Sequence, residues 1–189
     1  MPLNLPNLLT WLRILLIPLM AGVFYLPDGW VTSPEANLLA AAFFGVAALT
    51  DWLDGYLARA LGQTSAFGAF LDPVADKLMV AAALIVLIDL DRVAPLIGLI
   101  IIGREITISA LREWMAKAGK SASVAVSFVG KLKTMAQMIA IVLLLYFMPI
   151  DGLPIALVGT LLIWVAAVLT LASMAYYLVL AARALQSVA

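Results

Sequence analysis

The sequence predicts an all-α integral membrane protein, with six transmembrane helices and a short amphipathic N-terminal segment. Three observations predict this class. Hydrophobic residues make up 66% of the chain and mean hydropathy is +1.14, against roughly 45–50% apolar content in a soluble domain. Nearly the whole chain divides into runs of about 20 apolar residues, the length that about 30 Å of hydrocarbon requires. Short polar breaks separate these runs, and the cations gather at alternate breaks. No stretch is left over for a soluble unit, so residues 1–189 read as one membrane domain.

Taken in order, Pro6 and Asn7 followed by Leu8 to Arg13 form an amphipathic entry to a first span ending near Leu26. Asn7 or Thr10 is the expected helix cap, and Trp11 suits the interface. The run reads as a retained span rather than a signal peptide, because Arg13 interrupts its front and no small-x-small cleavage site follows. Pro27-Asp28-Gly29 begins a turn, and Pro34-Glu35 opens a second span from about Asn37 to Arg59. Gly62 to Ser65 is a hairpin break before span three, from about Phe67 to Ile88. Asp89, Asp91 and Arg92 turn the chain at the opposite end. Span four runs from about Val93 to Trp114, span five from about Ser127 to Phe147, and span six from Pro154 to about Ala182.

Six spans put both termini on one side. Of the eleven cations, all but Arg92 fall on that side, namely Arg13, Arg59, Lys77, Arg104, Arg112, Lys117, Lys120, Lys131, Lys133 and Arg183. The positive-inside rule makes that side cytoplasmic. Eleven Lys and Arg balance eleven Asp and Glu, so net charge does not identify a partner, and no nucleic-acid partner is expected.

The chain has no Cys and no His. That excludes disulfides, cysteine nucleophiles and imidazole bases, and leaves oxygen ligands for any metal. Oxygen donors favour Mg²⁺ or Mn²⁺, although carboxylates also accept Zn²⁺. Asp51 and Asp54, three residues apart, end span two; Asp72 and Asp76, four apart, begin span three. Each pair projects from one helix face, and the hairpin brings the pairs together. An ionised Asp at mid-membrane costs about 2.5–3.5 kcal/mol, so four require positive compensation. One or two divalent cations supply it, and two of them roughly 3.5–4 Å apart clamp a diphosphate. Protonation of some Asp, as a proton-coupled transporter would use, is the competing remedy.

The intervening residues favour the diphosphate. Gly55 and Ala58 lie on the Asp54 side of the helix, where minimal side chains admit a bulky ligand, and Gly68 opens space one turn before Asp72. Arg59 offers a fork of donors suited to phosphate. The spacing Asp51-x2-Asp54-Gly55-x2-Ala58-Arg59-x8-Gly68-x3-Asp72-x3-Asp76 resembles the signature of the CDP-alcohol phosphotransferase family at all eight of its positions. That resemblance implies six membrane helices, a homodimer, and transfer of a substituted phosphoryl group from a CDP-linked donor to an alcohol with release of CMP. It further implies that Asp51, Asp54 and Asp72 bind the metals, and that Asp76 completes the metal site and serves as general base. Asp54, Gly55, Ala58, Arg59 and Gly68 would receive the cytidine diphosphate.

The acceptor must be read elsewhere. Arg104 and Arg112, eight residues apart, stand about 80° apart around span four. Lys131 and Lys133 begin span five on the same membrane face. Converging cations beside a metal site suit an acceptor that itself carries phosphate. Glu113 and Lys117 read as a solvated i, i+4 pair, and snorkelling to the interface is the alternative for Lys133. Segments around Asn7 to Arg13, Arg104 to Met115 and Val124 to Met138 resemble the bacterial branch of the family that makes phosphatidylglycerophosphate. This branch implies CDP-diacylglycerol as donor, sn-glycerol 3-phosphate as acceptor, and residence in the inner membrane among its lipids. A sibling with another acceptor (inositol phosphate, serine or a lipid), a prenyltransferase and an ion or proton transporter are the competing readings.

Overall fold

The computed structural model describes residues 5–60, 66–117 and 128–186; side chains at 55, 56, 58–60 and 128–131 are among those outside the description. Six helices carry nearly all of it: α1 (Leu5–Gly22), α2 (Ser33–Ala60), α3 (Ala66–Asp89), α4 (Pro95–Lys117), α5 (Phe128–Tyr146) and α6 (Ile155–Gln186). A 3-10 turn, Val23–Tyr25, extends α1. Each predicted span thus falls on one helix. Asn7–Tyr25 and Ile155–Arg183 are long and apolar enough by themselves to cross a bilayer. The charges embedded in α2 and α4 lower their hydropathy, and α3 carries Asp72, Asp76 and Lys77 within its apolar run.

Local chemistry sets the helix ends. At the start of α2 the Glu35 carboxylate accepts from both the backbone N–H and the hydroxyl of Thr32, each at 2.8 Å, which supplies the carboxylate half of a capping box. These bonds hold the Glu35 carboxyl below its ordinary pKa. Gly29, at φ +87°, turns the chain before it, with Trp30 N–H bonded to the Pro27 carbonyl at 3.2 Å. α3 ends with Asp91 in the left-handed region at φ 55°. Arg92 N–H reaches the Leu87 carbonyl at 2.8 Å and Asp91 N–H the Ile88 carbonyl at 3.0 Å, the paired bonds of a Schellman ending.

The helices alternate in direction around a core that includes Met20, Phe44, Leu84, Leu87, Ile101 and Leu144. α1 packs on α2 and α3, α5 on α2 and α6, and α4 on α6. A Cβ on Gly159 would come within 2.9 Å of Leu144, so α5 and α6 approach closely there. The exterior is apolar too: Leu99 of α4 is 69% exposed and Val168 of α6 is 62% exposed. Such a surface fits contact with lipid rather than water.

The end of the bundle away from the aspartates is fastened by Arg92. Its guanidinium donates to the Leu144 and Leu145 carbonyls at 3.0 Å and to Asn37 Oδ1 at 2.7 Å. It also lies 4.3 Å from the centroid of Phe147, which terminates α5 at a left-handed φ of 60°. One side chain therefore satisfies C-terminal carbonyls of α5 and ties them to α2. Arg92→Ala is expected to lower stability by about 2–4 kcal/mol while turnover per folded molecule stays unchanged. Denaturation in detergent micelles measures the first and an activity assay the second; a wild-type melting curve would remove the fastening role.

Candidate active site

At the other end, the acidic residues converge on Arg13. This side chain is fully buried, on the inward face of α1. Its Nη1 donates to Asp76 Oδ1 at 2.5 Å. Its Nη2 pairs with Asp54 Oδ2 and lies 3.3 Å from Asp51 Oδ1. Three carboxylates from α2 and α3 thus share one guanidinium, whose planar fork spreads its donors over several acceptors. Asp72 is held separately, accepting from the Thr10 hydroxyl at 2.6 Å. Asp51 and Asp54 of α2 thus meet Asp76 of α3 through the Arg13 guanidinium of α1, whereas Asp72, expected with them from its spacing, stands apart on Thr10.

That arrangement corrects the reading of the N-terminal segment. Helix α1 already runs from Leu5, so Asn7 and Thr10 lie within it and are buried; neither is the cap. Residues 7, 10 and 13 recur at helical spacing and turn one polar stripe inward, while Leu8, Trp11, Leu12 and Leu15 face outward. The amphipathic entry exists as the first turns of α1, with its polar side toward the protein interior.

Asp51 and Asp76 form the acidic wall of a cavity of about 280 Å³, whose other walls come from α4, α5 and α6. Arg104, Arg112 and Lys77 line it as well. Glu105 accepts from Arg104 Nη1 at 2.8 Å and from Lys133 Nζ at 3.0 Å, so Arg104 is both ion-paired and at the cavity wall. The Arg112 guanidinium stands 5.7 Å from the Tyr177 ring. Arg104 and Arg112 each keep a buried Nε–H without an acceptor among the described residues. Arg104, Arg112 and Lys133 against Glu105 leave two net positive charges on this side, facing two negative ones.

The sequence-derived candidates separate accordingly. Asp51, Asp76, Arg104 and Arg112 share the cavity; Asp54 lies behind it on Arg13, and Asp72 on Thr10. Lys133 is 1% exposed and bonded to Glu105, so it does not snorkel. Gly68 is buried near the start of α3. Gly55, Ala58 and Arg59 lie on α2 and Lys131 on α5, but their side chains fall outside the described residues, as do the hairpin at 62–65 and the segment at 118–127. Glu113 and Lys117 make the expected exposed pair at 2.8 Å. Sequence reasoning missed Arg13 and Thr10 as partners of the aspartates, and Glu105 as partner of Lys133. The inward polar stripe of α1 was the available signal for the first two.

A sequence model described as CDP-alcohol phosphatidyltransferase matches residues 3–172. The chain belongs to the CDP-alcohol phosphatidyltransferase family. Relatives within it include an Escherichia coli (strain K12) protein, 52% identical over 94% of each chain. A Salmonella choleraesuis (strain SC-B67) protein is 49% identical over the same share, and a Shigella flexneri protein 52%. All three are named CDP-diacylglycerol–glycerol-3-phosphate 3-phosphatidyltransferase. In this CDP-alcohol phosphatidyltransferase, Asp51 and Asp76 share one cavity with Arg104 and Arg112.

Proposed function

We propose that this protein transfers the phosphatidyl group of CDP-diacylglycerol to sn-glycerol 3-phosphate, giving phosphatidylglycerophosphate and CMP. The observation that carries the reading is the single cavity joining Asp51 and Asp76 to Arg104 and Arg112, in a chain about half identical to relatives named for this reaction. The protein works as a six-span homodimer in the bacterial inner membrane, with its site and both termini at the cytoplasmic face. Acyl chains then stay in lipid while nucleotide and glycerol phosphate enter from water.

Divalent cations, Mg²⁺ or Mn²⁺ with Zn²⁺ as a further candidate, fit the donor chemistry, because every candidate ligand is a carboxylate oxygen; the point on which Asp51, Asp54 and Asp76 converge holds the Arg13 guanidinium. Among the described residues, no three acidic groups already form a coordination cluster. Asp51, Asp54 and Asp72, completed by Asp76, would hold the ions. When bound, two such ions supply charge neutralisation of the donor diphosphate and of the leaving group.

The chain's own residues account for the remaining steps. Asp76, half-exposed at the cavity wall, takes the proton from the acceptor's primary hydroxyl. The freed oxygen attacks the phosphorus that carries diacylglycerol; the bond from that phosphorus to the bridging oxygen breaks, and CMP leaves with that oxygen. Asp54, Gly55, Ala58, Arg59 and Gly68 receive the cytidine diphosphate. Arg104 and Arg112 hold the acceptor's phosphate, assisted by Lys131, while Lys133 acts through Glu105.

The deciding experiment measures CMP release by purified protein from CDP-diacylglycerol with a panel of acceptors, with and without Mg²⁺ or Mn²⁺. Release only with sn-glycerol 3-phosphate and a divalent ion is expected; release with inositol phosphate, serine or a lipid instead would assign a sibling activity. Arg112→Ala is expected to raise the KM for glycerol phosphate about tenfold to a hundredfold, with the KM for the donor unmoved. An unaltered acceptor KM would take Arg112 out of the acceptor pocket.

A further inference from the structure

Lys77, Thr134 and Gln137 are polar side chains at the cavity wall with no part in these steps. Gln137, on α5, is 3% exposed and lines the cavity with Asp76, Arg104 and Arg112. Its Oε1 is buried and meets no donor among the described residues. Leaving a buried amide oxygen unpaired costs more than a typical hydrogen bond contributes. Volume alone does not require an amide there, because a Met of similar size would fill the same space. The position is consistent with a group that acquires its partner from the ligand.

We infer that Gln137 is a specificity residue for the acceptor: its amide receives a free secondary hydroxyl standing between the attacking hydroxyl and the phosphate. The inference rests on the reaction proposed above. A phosphorylated polyol presents three features to this cavity. The attacking hydroxyl belongs beside Asp76, the phosphate belongs with Arg104 and Arg112, and the middle of the molecule has Gln137 within the same small space. A hydroxyl both donates and accepts, so it satisfies the amide whichever way the amide is turned. An acceptor without that hydroxyl closes the cavity over an unpaired amide, and sites built around a hydrogen bond reject such analogues strongly. Gln137 would thereby select glycerol phosphate over simpler phosphorylated alcohols of the same length and charge.

The test compares sn-glycerol 3-phosphate with 3-hydroxypropyl phosphate, which lacks only the middle hydroxyl, in the full-length protein with CDP-diacylglycerol and divalent ion. The wild-type protein is expected to favour glycerol phosphate in kcat/KM by about tenfold to a hundredfold. Gln137→Met is expected to collapse that preference to within about threefold of unity, chiefly by raising the KM for glycerol phosphate. A preference that survives the substitution overturns the inference. Equal losses on both acceptors also overturn it, and place Gln137 with the donor or with packing. Should Gln137→Met fail to accumulate folded, Gln137→Asn, which keeps the amide but withdraws it by one methylene, is read by the same ratio. A wild-type protein that releases CMP with neither acceptor overturns the acceptor assignment itself; release with glycerol phosphate and an unchanged ratio in the variant overturns only the role of Gln137.

Discussion

Arg13→Met is expected to cost about 3–5 kcal/mol of stability, the range for removing one partner of a buried ion pair, and to abolish turnover. The penalty comes chiefly from Asp54. Arg13 and Asp54 are almost fully enclosed, whereas the side chains of Asp51 and Asp76 are 41% and 42% exposed, and solvent screens their share. Arg13→Lys keeps a positive charge but replaces the planar fork by a point charge, so it is expected to fall between wild type and Arg13→Met. Chemical unfolding in micelles gives the stability, and a cycle with Asp54→Asn separates charge from shape. The double variant Arg13→Met, Asp54→Asn is expected to recover part of the stability, because no bare carboxylate remains buried, without recovering turnover. An Arg13→Met protein that unfolds with wild-type energetics would contradict the convergence of charge on this side chain.

Asp76→Asn is expected to lower kcat by about 10²–10⁴, the usual contribution of a positioned general base, with a much smaller change in the acceptor KM. Asn has nearly the same shape and still offers an oxygen to Arg13 Nη1, which lies 2.5 Å from the present carboxylate; what it loses is the ability to take a proton. Steady-state CMP release at saturating acceptor makes the measurement. A kcat within about threefold of wild type would assign the proton transfer to another group.

Much of this site was legible because its signals are local. Asp51 with Asp54, and Asp72 with Asp76, declare themselves by spacing, and the short hairpin between them brings Asp76 back toward the α2 pair. Turn chemistry such as Pro27-Asp28-Gly29 placed the ends of the helices in the same direct way. Arg13 was harder, because a single cation near the end of an apolar run looks the same whether it marks topology or neutralises carboxylates 38 to 63 residues further on. Lys133 and Glu105, 28 residues apart, and Arg92 with the carbonyls of α5 pose the same difficulty: long-range pairing leaves no periodic trace. Gln137 gave only the weakest hint, a polar residue within an apolar stretch.

The pairing of Arg13 also has a consequence for how the protein is made. The first helix leaves the ribosome carrying a cation whose partners have not yet been synthesised, and a lone arginine within a bilayer costs about 2.5–3.5 kcal/mol on insertion scales. The debt is settled only when α2 and α3 arrive with Asp51, Asp54 and Asp76. The first three helices are therefore expected to enter the membrane as a cohort, with α1 waiting at the interface or in the insertion machinery until its successors deliver their charge.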